Sequence, residues 1–280
     1  MEINLTWAMN FSASCGDVRE EFIDNSKGKI PFVHPIFLPA CVEVSGAFKS
    51  IFQTEFSKKQ LLKHTFVHHR CDIVFHKHLR VGDNVRTTIS LDTFEPSNRG
   101  TKTSTSFLHT DLSSGEVIAV GRFDGVLLGL NAITKEKSPT ILKVFRVSAT
   151  HEINIPPESA HLWDACIRNP RRTRSLAADI NVHTNLQLAL EASLPSRTLN
   201  GLHLLALVVS KLMNQERKPQ NIQRISCTFA APVYLAYTLQ VLILECQDEE
   251  KHTIHFQVKD KAERYVIKQG LLQFKSESCL

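Results

Sequence analysis

Residues 179–213, DINVHTNLQLALEASLPSRTLNGLHLLALVVSKLM, decide the fold that we predict for this chain. The last part of this stretch, residues 201–213, is apolar on nearly every face and is interrupted only by His203, Ser210 and Lys211. A helix that is apolar all round is enclosed by other structure rather than lying on a surface. The polar residues just before it are therefore expected at the mouth of something buried.

The composition is that of a globular protein. The chain has 280 residues, of which 42% are hydrophobic, enough for one large domain or two of ordinary size. No run approaches the roughly 18 apolar residues of a membrane span, and the N-terminus lacks the basic and apolar regions of a secretory signal. We expect an intracellular protein with no membrane partner. The net charge of +5 is spread along the chain, and no basic block is interleaved with aromatic residues, so nucleic acid is not an expected partner.

Neither the cysteines nor the histidines predict a metal site. The seven cysteines are scattered singly without a CxxC pair, which argues against a disulfide framework and against a thiolate site. Residues two apart on a strand share a face, so the histidines between 64 and 78 could supply two ligands, but no third ligand follows at a suitable spacing. These histidines are His64, His68, His69, His76 and His78.

The same order of elements occurs twice. Helical spacing between 40 and 54 is followed by strand patterns over 66–91, 101–110 and 116–130. After a polar segment and Pro156-Pro157, a helix is predicted over 157–167, then the buried helix from Gly201, then strands over 222–230, 237–247, 251–260 and 263–275. The order predicts a duplication, with a boundary between residues 135 and 155 and units at 1–140 and 150–280.

This plan and several motifs resemble the MaoC-like, R-specific enoyl-CoA hydratase family of double hotdog type. The matching segments are VHPIF (33–37), LRVGDNV (79–85), TDLSSGEVIAVGRFDGVLLG (110–129), DINVH (179–183) and FAAPVYLAYTL (229–239). The resemblance implies an α+β double hotdog, in which two long central helices are each wrapped by a mostly antiparallel sheet. It also implies reversible hydration of a 2-enoyl thioester, or dehydration of an (R)-3-hydroxyacyl thioester, in fatty acid metabolism. No cofactor is implied beyond the coenzyme A thioester, which is the substrate.

The resemblance also assigns roles in catalysis and substrate binding to individual residues. Asp179 and His183 would carry the two proton transfers, and Asn181 would orient the site. Asn200 and Gly201 would bind substrate, because the backbone N–H of Gly201 lies at the positive end of the buried helix, where an oxyanion is stabilised. The first unit would help to shape the acyl tunnel.

The motif departs from the family pattern D-x-N-P-x-H, and this keeps other interpretations open. The spacing from Asp179 to His183 is one residue shorter, the Pro is missing, and Asn200 replaces the His of the family's L-H-G. The alternatives are a hotdog protein with altered chemistry, a dehydratase of a biosynthetic pathway acting on a carrier-bound or free intermediate, or a binding subunit without catalysis. Without the resemblance, Asp179 and Asn181 would shape a turn and Thr184 or Asn185 would cap the next helix. Thioester hydrolysis is disfavoured because residues 201–213 contain no acid.

Two further features carry weaker predictions. Arg171, Arg172 and Arg174 could bind the phosphates of coenzyme A, although a solvated loop explains them as well. The C-terminal residues 278–280, SCL, are similar to a peroxisomal SKL, so the expected compartment is cytoplasmic or peroxisomal. A homodimer is compatible with the family resemblance.

Overall fold

The computed structural model describes residues 1–53, 57, 66–131, 146–167, 181–213, 219–245 and 252–275. Its α-helices are numbered in chain order. They are α1 (Leu5–Ser14), α2 (Glu20–Ile23), α3 (Phe37–Glu43), α4 (Gly46–Gln53), α5 (Ser159–Ile167), α6 (Leu186–Glu191) and α7 (Gly201–Leu212). No helix in the described part of the chain is long and apolar enough to cross a membrane.

All the named strands of the described residues join one antiparallel sheet. The strands are β1 (Phe66–Phe75), β2 (Val85–Ser97), β3 (Gly100–Asp111), β4 (Val117–Leu128), β5 (Arg146–Asn154), β6 (Ile222–Phe229), β7 (Thr238–Glu245), β8 (Thr253–Asp260) and β9 (Tyr265–Phe274). Their order across the sheet is β2-β3-β4-β1-β6-β9-β8-β7-β5. The units at 1–140 and 150–280 stay a prediction.

The first half of the chain, up to the end of β4, and the second half, from β5 onward, repeat the same detail of sheet packing. In the first half, Phe107 of β3 pairs with Gly121 of β4, and a Cβ on that glycine would lie only 2.1 Å from the ring. In the second half, Phe256 of β8 pairs with Gly270 of β9, where a Cβ would lie 2.3 Å from the ring. Each ring therefore lies over a strand position that only glycine leaves open, which agrees with the predicted duplication.

The halves meet where β1 pairs with β6. Cys71 lies opposite Cys227 in this register, and both side chains are buried. On the same pair of strands, the guanidinium of Arg224 donates to both carboxylate oxygens of Asp72, at 2.9 and 2.7 Å. The two predicted sheets are thus joined edge to edge, with apolar packing and a bidentate ion pair at the joint.

Helix α7 is enclosed as its sequence predicts. Eight of its twelve residues are buried, and two of its polar interruptions, His203 and Ser210, have partners. His203 donates through Nε2 to the carbonyl of Ser14 at 3.1 Å and stacks on Trp163 with ring centroids 4.5 Å apart. Ser210 lies 3.0 Å from Nε2 of His34 in the first half. Because Nδ1 of His34 accepts from the N–H of Ile36, Nε2 must be the protonated nitrogen and donates to Ser210.

The first-half helix differs from the expectation of one long helix over 40–54. It is divided into α3 and α4, with Val44 and Ser45 between them. The hydroxyl of Ser45 donates to the carbonyl of Val42 at 2.7 Å and satisfies a carbonyl at the end of α3. The break leaves Glu43 as the last residue of α3.

Candidate active site

The segment before α6 forms a tight turn built on Asn181. Its Oδ1 accepts hydrogen bonds from the N–H groups of His183, at 2.8 Å, and Thr184, at 3.2 Å. Its Nδ2 donates to Asp164 of α5 at 3.3 Å. Asn185 caps α6 by accepting from the N–H of Leu188 at 3.0 Å. The turn and cap expected from the bare sequence are present, and the same bonds orient the backbone of His183.

The ring of His183 is fixed through Nδ1. This nitrogen lies 2.9 Å from the carbonyl oxygen of Thr198 and 3.2 Å from its hydroxyl. A carbonyl oxygen only accepts, so Nδ1 carries the proton and Nε2 of the neutral ring carries the lone pair. Burial lowers the pKa of His183, while the carboxylate of Glu43 and the bond to Thr198 act in the opposite direction; the net effect is a lowered pKa. His183 is therefore neutral at pH 7, and its Nε2 can accept a proton.

Asn200 links the start of α7 to the first half. Its Oδ1 accepts from the N–H groups of Leu202, at 2.8 Å, and His203, at 3.2 Å, so it is the N-cap of the buried helix. Its Nδ2 donates to Oε1 of Glu43 at 2.9 Å. The cap leaves the N–H of Gly201 without an acceptor among the described residues.

The backbone just before this cap is held in place by the loop after β6. The N–H of Leu199 donates to the carbonyl of Val233 at 2.7 Å, and Thr198 forms an isolated bridge with Tyr234. A Cβ on Gly201 would lie 3.5 Å from the ring of Phe229, an ordinary contact distance. The residue that fixes His183 and the residue that begins α7 are thus three positions apart on one anchored segment.

Glu43 and His68 complete the site from the first half, and the sequence interpretation did not include them in it. Oε1 of Glu43 also lies 3.1 Å from Nε2 of His68, on β1. Both side chains are largely buried, with exposures of 17% and 8%. Burial raises the pKa of Glu43, but His68, the bond from Asn200 and the nearby His183 outweigh it and lower the pKa overall. The carboxylate is therefore ionised at neutral pH.

The comparisons with known proteins bear on the half that contains His183. Residues 174–268 match the model of the MaoC like domain. This part of the second half is thus similar to a MaoC-like domain. No curated protein matches the chain.

Solved structures show the same fold for the MaoC-like domain together with the first half. A MaoC-like dehydratase from Phytophthora capsici superposes with a TM-score of 0.75 at 14% identity, over 98% of this chain and 93% of that one. The full-length peroxisomal multifunctional enzyme type 2 from Drosophila melanogaster gives 0.71 at 16% identity, over 98% of this chain and 47% of that one. A Mycobacterium tuberculosis protein described as having a double hotdog fold gives 0.56 at 13% identity, over 98% and 92%. The predicted double hotdog is confirmed.

The predicted site residues fall into two groups. His183, Asn181, Asn200 and Gly201 lie around the start of α7 in the MaoC-like domain, although their roles toward a substrate stay predictions. Asp179 lies outside the described residues, as do the proposed phosphate-binding arginines and the C-terminal tripeptide. Within the described ranges, no three His, Cys, Asp or Glu side chains are grouped to hold a metal.

The sequence did contain one signal for Glu43. It is the only acid between residues 31 and 44, a stretch otherwise rich in apolar residues and proline. Acids are almost never fully buried unless they are paired. An acid inside a segment that reads as core is therefore a candidate for a paired or functional carboxylate.

Proposed function

We propose that this protein is a hydro-lyase of acyl thioesters, which reversibly adds water to a 2-enoyl thioester or dehydrates an (R)-3-hydroxyacyl thioester. The observation that carries the proposal is the arrangement at the start of α7. Residues 198–201 hold the neutral ring of His183, with the lone pair on Nε2, and present the N–H of Gly201, which has no acceptor among the described residues. The match of residues 174–268 to the MaoC like domain supports this reaction class.

His183 is suited to the proton transfers of this reaction. Hydration needs a base that takes a proton from water and a group that returns a proton to C2, and dehydration is the reverse. A positioned acid–base group typically contributes about 10² to 10⁴ in rate. The bond from Nδ1 to Thr198 fixes the tautomer, so Nε2 is available to accept a proton.

Gly201 is suited to the thioester oxygen. Negative charge develops on this oxygen when water adds at C3 and the enolate forms. The N–H of Gly201 starts a buried helix of twelve residues, so the positive end of the helix dipole lies behind it. Glycine also lets the carbonyl approach without a side chain in the way.

Asp179 is part of the proposal through the family resemblance. The test is to measure Asp179→Asn beside His183→Ala with crotonyl-CoA and a longer 2-enoyl-CoA, following the loss of absorbance of the conjugated thioester. The exposed His161 provides the matched control, His161→Ala. Loss of activity in both site variants supports the assignment. Loss only in His183→Ala means that the acid is misassigned, and two fully active variants would refute the catalytic interpretation of this segment.

A hotdog protein with altered chemistry is the second candidate. It is favoured by the shortened motif, which lacks the family's Pro, and by Asn200 in the place of the family's His. Asn200 is used here as a helix cap and as a donor to Glu43. A wild-type protein that binds enoyl-CoA without consuming it would identify this alternative.

The remaining parts of the proposal concern context. The substrate is a small acyl thioester of coenzyme A, and no separate cofactor takes part. The proposed compartment is intracellular, cytoplasmic or peroxisomal, where acyl-coenzyme A thioesters are metabolised. A homodimer stays a prediction, and the oligomeric state can be measured by light scattering during gel filtration.

A further inference from the structure

A buried carboxylate from the first half reaches the site of the second half. Oε1 of Glu43 accepts hydrogen bonds from Asn200 at 2.9 Å and from His68 at 3.1 Å. The other oxygen, Oε2, is buried and accepts no hydrogen bond from the described residues. An ionised carboxylate offers about four acceptor positions, and leaving a buried one unused is costly. We therefore expect Oε2 of Glu43 to accept a hydrogen bond in the functioning protein.

The surroundings of Glu43 point to His183. Asn200, which binds Glu43, is two residues from Thr198, which binds His183. The negative charge of Glu43 acts on His183 and makes its ring more basic. Asp164 acts in the same direction from α5, and His68 acts against it from β1.

We propose that Glu43 is a catalytic residue of the hydration reaction, whose Oε2 binds the reacting water beside Nε2 of His183. The assignment rests on the function proposed above. It adds a carboxylate from the first half to a site whose other members lie in the MaoC-like half. Glu43 and His183 each accept one hydrogen of the same water, and this directs the water's lone pair toward C3.

Glu43 and His183 together account for every proton and electron pair that moves in the hydration step. As the water oxygen bonds to C3, one water proton moves to Nε2 of His183, and the electrons of the C2=C3 bond move toward the thioester carbonyl. The imidazolium of His183, stabilised by the charge of Glu43, then returns that proton to C2 as the enolate collapses. The second water hydrogen stays on the new C3 hydroxyl, which Oε2 releases. Dehydration is the same sequence in reverse, and no oxidant or reductant takes part.

The test compares Glu43→Gln with the wild type in the crotonyl-CoA assay. Glutamine keeps the length of the side chain but loses the charge, so kcat should fall by about 10² or more while the circular dichroism spectrum and Tm stay close to wild type. Asp111→Asn is the matched control, because Asp111 is also buried and ion-paired, with Lys77. This control should keep full activity.

The pH profile separates a chemical role from a structural one. Activity needs neutral His183, so the rate falls at acid pH as its ring is protonated. Removing the negative charge of Glu43 makes the ring harder to protonate, and the acid limb of kcat/KM should move to lower pH in Glu43→Gln. A merely structural loss would leave this limb where it is.

The outcomes are distinct. If the wild type is active and Glu43→Gln is equally active, the inference is wrong and the proposed function stands. If the wild type consumes no enoyl-CoA, both are overturned. If Glu43→Gln does not fold, Glu43→Asp decides, because it keeps the charge but withdraws the oxygens by one methylene. A reduced kcat at an unchanged Tm supports the inference, and a full rate contradicts it.

Discussion

Asn200→Asp gives a direct test of the contact between the halves. In the wild type, Nδ2 of Asn200 donates to Glu43 at 2.9 Å, while Oδ1 caps α7. An aspartate retains the cap, and its charge suits the helix N-terminus. It also replaces the donor by a second carboxylate facing Glu43. The variant therefore keeps one of the two functions of Asn200 and reverses the other.

Two limits give the stability that Asn200→Asp should lose through repulsion between the two carboxylates. Two like charges about 4 Å apart repel by about 4 kcal/mol at an effective dielectric constant of about 20. Alternatively, one carboxyl takes up a proton, which at pH 7 costs about 4 kcal/mol for a group with an ordinary pKa of about 4. The loss in the free energy of unfolding from repulsion is therefore at most about 4 kcal/mol at pH 7.

The direction in which the stability loss changes with pH distinguishes carboxylate repulsion from a lost hydrogen bond. Repulsion raises the pKa of the carboxyl pair in the folded state, so the penalty grows as pH rises and shrinks as pH falls. Asn200→Ala loses the cap, about 1 kcal/mol, and a bond to a charged group, about 1.5 to 3 kcal/mol, and this loss changes little with pH near neutrality.

Urea unfolding at pH 5.5 and 7.5 should show this difference. Relative to the wild type at each pH, Asn200→Asp should lose about 2 kcal/mol more at the higher pH, since a single proton is worth up to about 1.4 kcal/mol per pH unit. Asn200→Ala should lose the same amount at both. Parallel pH curves for the two variants would refute the contact between Asn200 and Glu43.

Three further predictions follow from packing and burial. The free energy of unfolding of the wild type should fall as the pH falls below 6.5, because the unfolded chain binds protons before the folded chain does. The loss at pH 5.5 should be about 1.4 kcal/mol for each histidine whose pKa is lowered by burial to about 4. An unchanged urea midpoint between pH 7.5 and 5.5 would contradict this. These histidines are His34, His78, His109 and His203. Gly121→Ala should destabilise the fold by about 1 to 3 kcal/mol, because its Cβ would lie 2.1 Å from the ring of Phe107, and thermal melting would show no change if that packing is wrong. Gly201→Ala should keep the wild-type Tm, since its Cβ would lie 3.5 Å from Phe229, but should lower enoyl-CoA turnover by about 10² by blocking close approach of the carbonyl; an unchanged rate would remove Gly201 from the mechanism.

Local periodicity was enough to place most elements. The predicted helix from Gly201 and the four strand patterns after it agree with α7 and β6–β9 to within two residues at every end. Apolar residues recur there with the period of one structure over many positions, so no distant contact is needed to choose between helix and strand. The first-half helix is different, because its division at Val44 and Ser45 depends on a local hydrogen bond to Val42 that periodicity does not express.

The site could be predicted only on one side. His183, Asn181 and Asn200 lie within 20 residues of one another, and their motif is local. The bond between Asn200 and Glu43 joins residues 157 positions apart, and no pattern in either segment indicates the other. A close approach of this kind is decided by how the two sheets join, which is a property of the whole fold.

The joint between the sheets therefore has a part in the chemistry as well as in stability. Strand β1 carries His68 on one part of its length and pairs with β6 through Cys71 and Cys227 on another. The same strand pair is held by Asp72 and Arg224. A shift of β1 along β6 would move His68, a hydrogen-bond partner of Glu43, relative to α7. A slip of a β-strand by one residue turns all its side chains to the opposite face, so the register between β1 and β6 decides which face His68 presents. The second half contains His183 and the match to the MaoC like domain, but Glu43 is positioned by the first half.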